Sequence, residues 1–361
     1  MIPFLNLKEI NKPSENAISE AVGKLITSGS YILNDTLSDF EQQFADYCGA
    51  RYCVGVANGS QAIELILRAW NFPQGSEIII PANTYIASVL PVINLGLKPV
   101  FVEPDPDTYL IDPDKIEEAI SPGTKAILAV HLYGKCCDMD RIHLLARKYN
   151  LKVLTDAAQA HGATYKGTRA GNLAEAEAFS FYPTKNLGGM GDGGAVLTSN
   201  HALFQELRML RNYGFIKKNY AQLPGINSRL DPIQAAILSV KLQHLDHQNE
   251  QRKIIASQYF QKIKTPDLIL PSFDSFIEDN WHLFVVRHPE RDRLRDFLFN
   301  NGVETNIHYP TPPHKQPVLS HYNLSFPITE KLSDQIVSLP LNPSLRPCDV
   351  DLIIDTMNNF K

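Results

Sequence analysis

The chain predicts an α/β fold: a seven-stranded, mostly parallel sheet between helices, followed by a smaller C-terminal α+β domain. Three observations carry this. Through residues 1–230, short β-rich runs alternate with helical patterns. Several of those runs are apolar throughout, as strands covered on both faces must be. After Asp231-Pro232, an acid and a proline suited to a helix start, the alternation stops and a long helical pattern takes over. The expected division is 1-230 for a large domain with N-terminal helices and 231-361 for the smaller one.

In chain order, Ile18, Ala21, Val22 and Leu25 recur at helical spacing, as do Leu37, Phe40 and Phe44. Strands are predicted at Tyr52–Val56, Glu77–Ile80, Pro99–Val102, Ala126–His131, Lys152–Asp156, Ala178–Phe181 and Ala195–Thr198. Helices are predicted between most of them, at Gln61–Trp70, Ala87–Leu95, Asp114–Ala119 and Asp138–Lys148. From Pro232 one long helical stretch is expected towards Ile263, closed by Pro266 and Pro271. Strands at Leu283–Arg287 and Glu304–Ile307 and helices at Arg291–Asn300 and Thr329–Val337 complete the smaller domain. The proline-rich Tyr309–Pro317 must be a loop.

The 361 residues, 44% hydrophobic and 20% charged, suit a globular enzyme with a large core. A net charge of −5 gives no reason to expect nucleic acid or an anionic membrane as partner. Met1–Lys8 lacks the basic stretch and long apolar run of a leader, and no segment approaches a membrane span. Five scattered cysteines, an odd number, favour reduced thiols and a cytoplasmic location.

Two residues stand out. Lys185 ends Phe179-Ser180-Phe181-Tyr182-Pro183-Thr184-Lys185, an apolar run with glycines behind it, and Asp156 ends the apolar strand Val153-Leu154-Thr155. An amine at one strand end and a carboxylate at another are the two groups pyridoxal phosphate needs. The amine forms a Schiff base, and the acid keeps the ring nitrogen protonated so that the ring accepts electrons. Ala57-Asn58-Gly59-Ser60 follows a strand and opens a helix, where free N–H groups and the positive dipole end suit a phosphate. Ser180 is a second hydroxyl for it. Ala158 is small enough to lie against a flat ring, and the Gln159 amide could reach its phenolic oxygen.

Other patterns point elsewhere and fail. Gly189-Met190-Gly191-Asp192-Gly193-Gly194 matches G-x-G-x-x-G, but a strand follows it where a dinucleotide fingerprint requires a helix. That reading, a nicotinamide dehydrogenase, gives way to a tight return loop beside the lysine. His131, Cys136 and Cys137 lie close together, yet their spacing fits no familiar zinc pattern, so no metal is expected.

Taken together, the segments Gly29-Ser30-Tyr31-Ile32, Ala57-Asn58-Gly59-Ser60, Pro81-Ala82-Asn83-Thr84-Tyr85, Asp156-Ala157-Ala158-Gln159-Ala160-His161-Gly162, Ser180-Phe181-Tyr182-Pro183-Thr184-Lys185-Asn186, Asn227-Ser228-Arg229-Leu230 and His308-Tyr309-Pro310 resemble, in order, the DegT/StrS-type sugar-nucleotide aminotransferases. The resemblance runs nearly the whole length. It implies the aspartate-aminotransferase fold (PLP fold type I), pyridoxal 5'-phosphate as cofactor, and a homodimer with shared active sites. It further implies that Gly59, Ser60 and Ser180 hold the cofactor phosphate and that Tyr85 stacks on the ring. Asp156 pairs with the ring nitrogen, Gln159 contacts the phenolic oxygen, and Lys185 forms the Schiff base. Asn227 reaches the phosphate of the neighbouring subunit, and Tyr182, His308 and Tyr309 line the sugar pocket.

The activity so implied is transamination of a nucleotide-linked keto-deoxyhexose with L-glutamate as donor. Glu103-Pro104-Asp105-Pro106-Asp107 and Tyr133-Gly134-Lys135-Cys136-Cys137-Asp138-Met139 resemble members that aminate C3 of a dTDP-linked 3-keto-6-deoxyhexose. C4 amination of a 4-keto sugar is the alternative, and a non-catalytic PLP-binding regulator is the alternative from another class. Bacterial surface polysaccharide or a glycosylated metabolite would be the destination. Related dehydrases carry histidine in place of the lysine, so Lys185 argues against dehydration.

Overall fold

The computed structural model describes residues 1–272 and 277–361. Its central sheet holds, among the described residues, seven strands: β1 (Tyr52–Val56), β2 (Glu77–Pro81), β3 (Lys98–Val102), β4 (Thr124–Val130), β5 (Lys152–Asp156), β6 (Ala176–Ser180) and β7 (Gly194–Thr198). Their spatial order is β1-β7-β6-β5-β4-β2-β3. Every neighbouring pair is parallel except those of β7, which runs antiparallel to both β1 and β6. Register sets Val130 beside Asp156 and Asp156 beside Ala178, so the ends of β4, β5 and β6 open on one edge. Ligands of open α/β sheets bind at that carboxyl edge.

Helices cover the faces. In the first half these are α1 (Leu7–Asn11), α2 (Glu15–Ser28), α3 (Asp35–Cys48), α4 (Gly59–Trp70), α5 (Ile86–Asn94), α6 (Pro113–Ala119), α7 (Met139–Tyr149) and α8 (His201–Leu210). Side-chain caps start several of them: Asn34 accepts from the Leu37 N–H, Asn58 from Gln61 and Asp138 from Arg141. Glycines in the left-handed region, Gly29 and Gly49, end α2 and α3. All seven predicted strands and the four predicted helices among them are present, with ends shifted by one or two residues.

The C-terminal part departs from expectation in three places. The long helix after Asp231 is two helices, α9 (Pro232–Leu242) and α10 (Leu245–Lys262). Ala235, Leu238 and Leu242 of α9 bury in the large core, whereas Ile255, Ala256 and Tyr259 of α10 enter a second core. The break lets one stretch of chain serve both. The residues after α11 (Arg291–Asn300) form no strand at 304–307; there Asn306 turns its own Oδ1 back to the Ile307 N–H, and only a lone bridge to Ser338 forms. Helix α12 (Pro327–Gln335) stops before Ile336, and the wholly buried Ile336–Leu339, which opens on two β-branched residues, becomes a strand, β9, antiparallel to β8 (Phe284–Arg287). Two short 3₁₀ turns, Pro313–Lys315 and Pro317–Tyr322, shape the proline-rich loop, and α13 (Pro347–Asn359) ends the chain.

Among the contacts that tie the parts together, one lies at the start of α12. Glu103, just beyond β3, accepts hydrogen bonds from the N–H groups of Ile328 and Thr329 and from the Thr329 hydroxyl, capping the first turn of α12. The second core gathers Ile2, Tyr259, Phe284, Val337 and Ile353. No helix among the described residues is long and apolar enough to cross a membrane.

Candidate active site

At the carboxyl edge of the sheet lies a cavity of about 410 Å³. Its lining brings together Gly59, Ser60, Tyr85, Asp156, Gln159, Ser180, Tyr182, Lys185, His308 and Tyr309, residues scattered over 250 positions of the sequence. Asn227 is not among them. It is exposed and bridges to Asn212 outside the cavity.

Asp156 is half-buried at the end of β5. Its Oδ2 accepts from the Ser88 hydroxyl at 2.7 Å and its Oδ1 from the Ala158 N–H at 3.0 Å. Burial pushes its pKa up, against the opposing pull of those two donors and of Lys185. Lys185 sits on a turn closed by its own N–H on the Tyr182 carbonyl at 2.9 Å. Gly188 follows because a Cβ there would stand 2.4 Å from the Pro183 carbonyl oxygen. Burial lowers the Lys185 amine from 10.5 to about 8, and Asp156 only partly opposes this. Among the described residues the amine has no hydrogen-bond acceptor and no ion pair. Poised, unpaired amines of this kind are what nucleophilic lysines require.

One end of the cavity is built by the start of α4. The first turn of that helix carries no acid. Gly59 lies so close to β6 that a Cβ would come within 2.8 Å of the Ser180 Cβ. Helix start and Ser180 therefore form one cradle, where the positive end of α4 faces the cavity. The Ser60 hydroxyl donates to the Ala87 carbonyl at 3.1 Å, and the Ser180 Oγ accepts from the Tyr182 N–H at 3.3 Å.

Gln159 takes an arrangement the sequence did not suggest. Its Oε1 accepts from the Tyr133 N–H at 2.6 Å and its Nε2 donates to the Tyr309 hydroxyl at 3.0 Å. One amide hydrogen remains for a ligand. The Tyr85 and Tyr309 rings lie 4.8 Å apart, and Tyr85 and Tyr182 are each 51% exposed, their faces open to whatever enters. His308 holds Ser338 Oγ through Nδ1 at 2.8 Å, and burial lowers its pKa to about 4.

Sequence reasoning missed Thr84, Ser88, His131, Thr184, Asp192 and His282, which also line the cavity. Ser88 falls four residues beyond Thr84 in the segment after β2, a spacing that is the one local signal for it. The neighbourhood of His131, Cys136 and Cys137 is explained by backbone capping: the Cys137 N–H donates to His131 Nδ1 at 3.1 Å and the Cys137 thiol to the Val130 carbonyl at 3.1 Å. No group of three or more possible metal ligands occurs among the described residues.

A half-buried lysine amine, a carboxylate in no ion pair among the described residues and an acid-free helix start across one cavity fit pyridoxal phosphate, with its aldehyde, ring nitrogen and phosphate. Fold and site define a pyridoxal-phosphate-dependent enzyme of fold type I. The chain belongs to the DegT/DnrJ/EryC1/StrS aminotransferase family, whose model matches residues 13–358. It is 50% identical, over 100% of its length and 99% of the relative's, to a dTDP-3-amino-3,6-dideoxy-alpha-D-galactopyranose transaminase of Aneurinibacillus thermoaerophilus. The crystal structure of Streptomyces venezuelae DesV in complex with a ketimine intermediate superposes with a TM-score of 0.97 at 42% identity, covering 99% of this chain and 97% of that one. NtdA of Bacillus subtilis, solved with bound cofactor PMP, is 33% identical with a TM-score of 0.93, covering 99% of this chain and 84% of that one.

Proposed function

We propose that the chain transfers an amino group from L-glutamate to C3 of a dTDP-linked 3-keto-6-deoxyhexose. The observation that carries this is full-length, 50% identity to a relative named for a dTDP-3-amino-6-deoxyhexose. The cavity has the groups that such a transfer needs.

Pyridoxal phosphate supplies an aldehyde carbon that takes up the amino nitrogen and a ring that spreads the electron pair left when a C–H proton departs. The protein's part is to bind, orient and move protons. The N–H groups of Gly59 and Ser60, with Ser180, hold the phosphate at the helix start. Asp156, fixed by Ser88 and Ala158, keeps a proton on the ring nitrogen through a charge-assisted bond. Gln159 offers its remaining amide hydrogen to the phenolic oxygen, and Tyr85 covers one face of the ring. Lys185, once free, takes the proton from the substrate carbon that carries nitrogen and returns it on the other side of the transfer. Tyr182, His308 and Tyr309 border the sugar.

The working form is a homodimer with shared sites, in which Asn227 reaches the phosphate bound by the other subunit. Its exposure away from its own cavity supports this, as do the exposed Tyr31, Ile32, Tyr213, Ile216 and Tyr220, which a second copy would cover. Five free cysteines, four of them buried, suit the cytoplasm.

The test is direct. Purified protein, pyridoxal phosphate, L-glutamate and a dTDP-3-keto-6-deoxyhexose should yield 2-oxoglutarate and a dTDP-3-amino sugar, the carbon being assigned by NMR. Nitrogen on C4 from a 4-keto substrate, with none on C3, would refute the regiochemistry; no 2-oxoglutarate from any keto sugar nucleotide would refute the activity.

A further inference from the structure

Lys185 carries hydrogens with nothing among the described residues to receive them, and one imidazole at the cavity keeps a lone pair that no donor uses. Besides Asp156, His282 and His308 share the cavity lining with Lys185, and His161 lies within reach of its charge. His308 is engaged on both sides: Asn306 Nδ2 donates to its Nε2 at 3.5 Å, leaving Nδ1–H for Ser338. His131 accepts at Nδ1 from the Cys137 N–H, so its Nε2 bears the hydrogen and points at Glu177, 3.9 Å away. His161 is enclosed by the rings of Phe44, Phe179 and Phe181 and does not line the cavity.

His282 differs. Asn186, the residue after Lys185, donates through Nδ2 to the Asn280 carbonyl at 3.1 Å and to Asn249 Oδ1 at 2.9 Å. The amide nitrogen being assigned by that carbonyl, it is Asn186 Oδ1 that faces His282 Nδ1 at 2.9 Å. His282 Nδ1 must then carry the hydrogen, and Nε2 keeps a lone pair. Asn249 and Asn280 are themselves locked onto the carbonyls of Gln159 and His161, so the ring cannot turn over cheaply. Among the described residues Nε2 has no partner, and His282 lines the cavity. Burial keeps this imidazole neutral.

We infer that His282 is a positioning residue, whose unprotonated Nε2 accepts a hydrogen bond from the Lys185 amine once an amino substrate has displaced that amine from the cofactor; in the cofactor-free chain the two groups share the cavity lining without bonding. The bond holds the amine on line with the substrate carbon and favours its protonated form. The consequence for turnover rests on the transfer reading above; the contact itself does not.

Two substitutions separate positioning from packing. His282→Asn keeps a donor at the Nδ1 place, facing Asn186, but removes the cavity lone pair. His282→Gln keeps an acceptor near the Nε2 place and loses the anchor. The pH midpoint of Lys185 modification by an amine-reactive reagent, read by peptide mass spectrometry, is measured on the full chain with pyridoxamine phosphate bound, the form in which the amine is displaced from the cofactor. H282N should move the midpoint down by about one pH unit, and H282Q should restore it. With the sugar substrate, H282N should lower kcat roughly tenfold or more and leave KM nearly unchanged. An unchanged midpoint in H282N, or a loss in H282Q with none in H282N, would overturn the inference. A chain that shows no transfer but a shifted H282N midpoint refutes the proposed function and leaves this contact standing.

Discussion

The Ser88 hydroxyl donates to Asp156 Oδ2 at 2.7 Å, and because its single hydrogen goes there, the Thr84 hydroxyl 2.7 Å away must donate to Ser88. This two-step relay runs from the turn after β2 to the acid at the end of β5. It favours the charged carboxylate, offsetting part of the rise that burial imposes.

Ser88→Ala removes that donor, so the Asp156 pKa rises further. The acid limb of the kcat profile should move to higher pH, with roughly tenfold lower kcat at pH 6 and a smaller loss at pH 8. A uniform loss across pH would show that Ser88 only packs.

Lys185→Ala should fold and bind cofactor, yet give no borohydride-trapped adduct and lose about a thousandfold or more in transfer. In the native chain the amine falls from 10.5 to about 8. Free amine is the reacting form, so capture of pyridoxal phosphate should speed up about tenfold per pH unit towards pH 8 and then level off. Stopped-flow absorbance resolves this. A rise continuing to pH 10 would contradict the burial effect.

Gly59→Ala places a methyl 2.8 Å from the Ser180 Cβ and 3.3 Å from its Cα. The start of α4 must move away from β6. Cofactor affinity, from equilibrium dialysis, should weaken by about ten- to a hundredfold, and stability should fall by roughly 1–3 kcal/mol.

His131 is wholly buried, and burial alone lowers its pKa from 6.5 to about 3. As pH falls, the unfolded chain protonates this ring first. The stability it confers is complete above about pH 6.5 and is lost on the way to pH 3, about 2 kcal/mol of it by pH 5. His131→Asn retains an acceptor for the Cys137 N–H and does not titrate. Denaturant melts at pH 7 and pH 5 should differ less in this variant by about that amount.

Much of the site was legible because its residues belong to contiguous segments: Asp156 to Gln159 follow one strand, Ser180 to Lys185 another, and Asn58 to Ser60 open a helix. Strand ends in a parallel sheet converge, so their terminal residues meet. Ser88 and His282 were illegible for the same reason reversed. Ser88 reaches its acid across 68 positions and His282 its amide across 96, with no local pattern to mark either. Gln159 was found, but its bonds reach Tyr133, 26 residues before it, and Tyr309, 150 residues after it. In the fold, the break between α9 and α10 escaped notice because both halves are helical and only the core they face changes.

Glu103 lies in the acidic, proline-rich segment that pointed to a particular sugar, and its carboxylate anchors α12. That helix leads directly into β9, whose Ser338 holds His308. The cavity wall that carries His308 is thereby bolted to the far margin of the sheet. A shift of this remote brace would move that wall while Asp156, at the end of β5, and Lys185, on the turn after β6, stay where they stand.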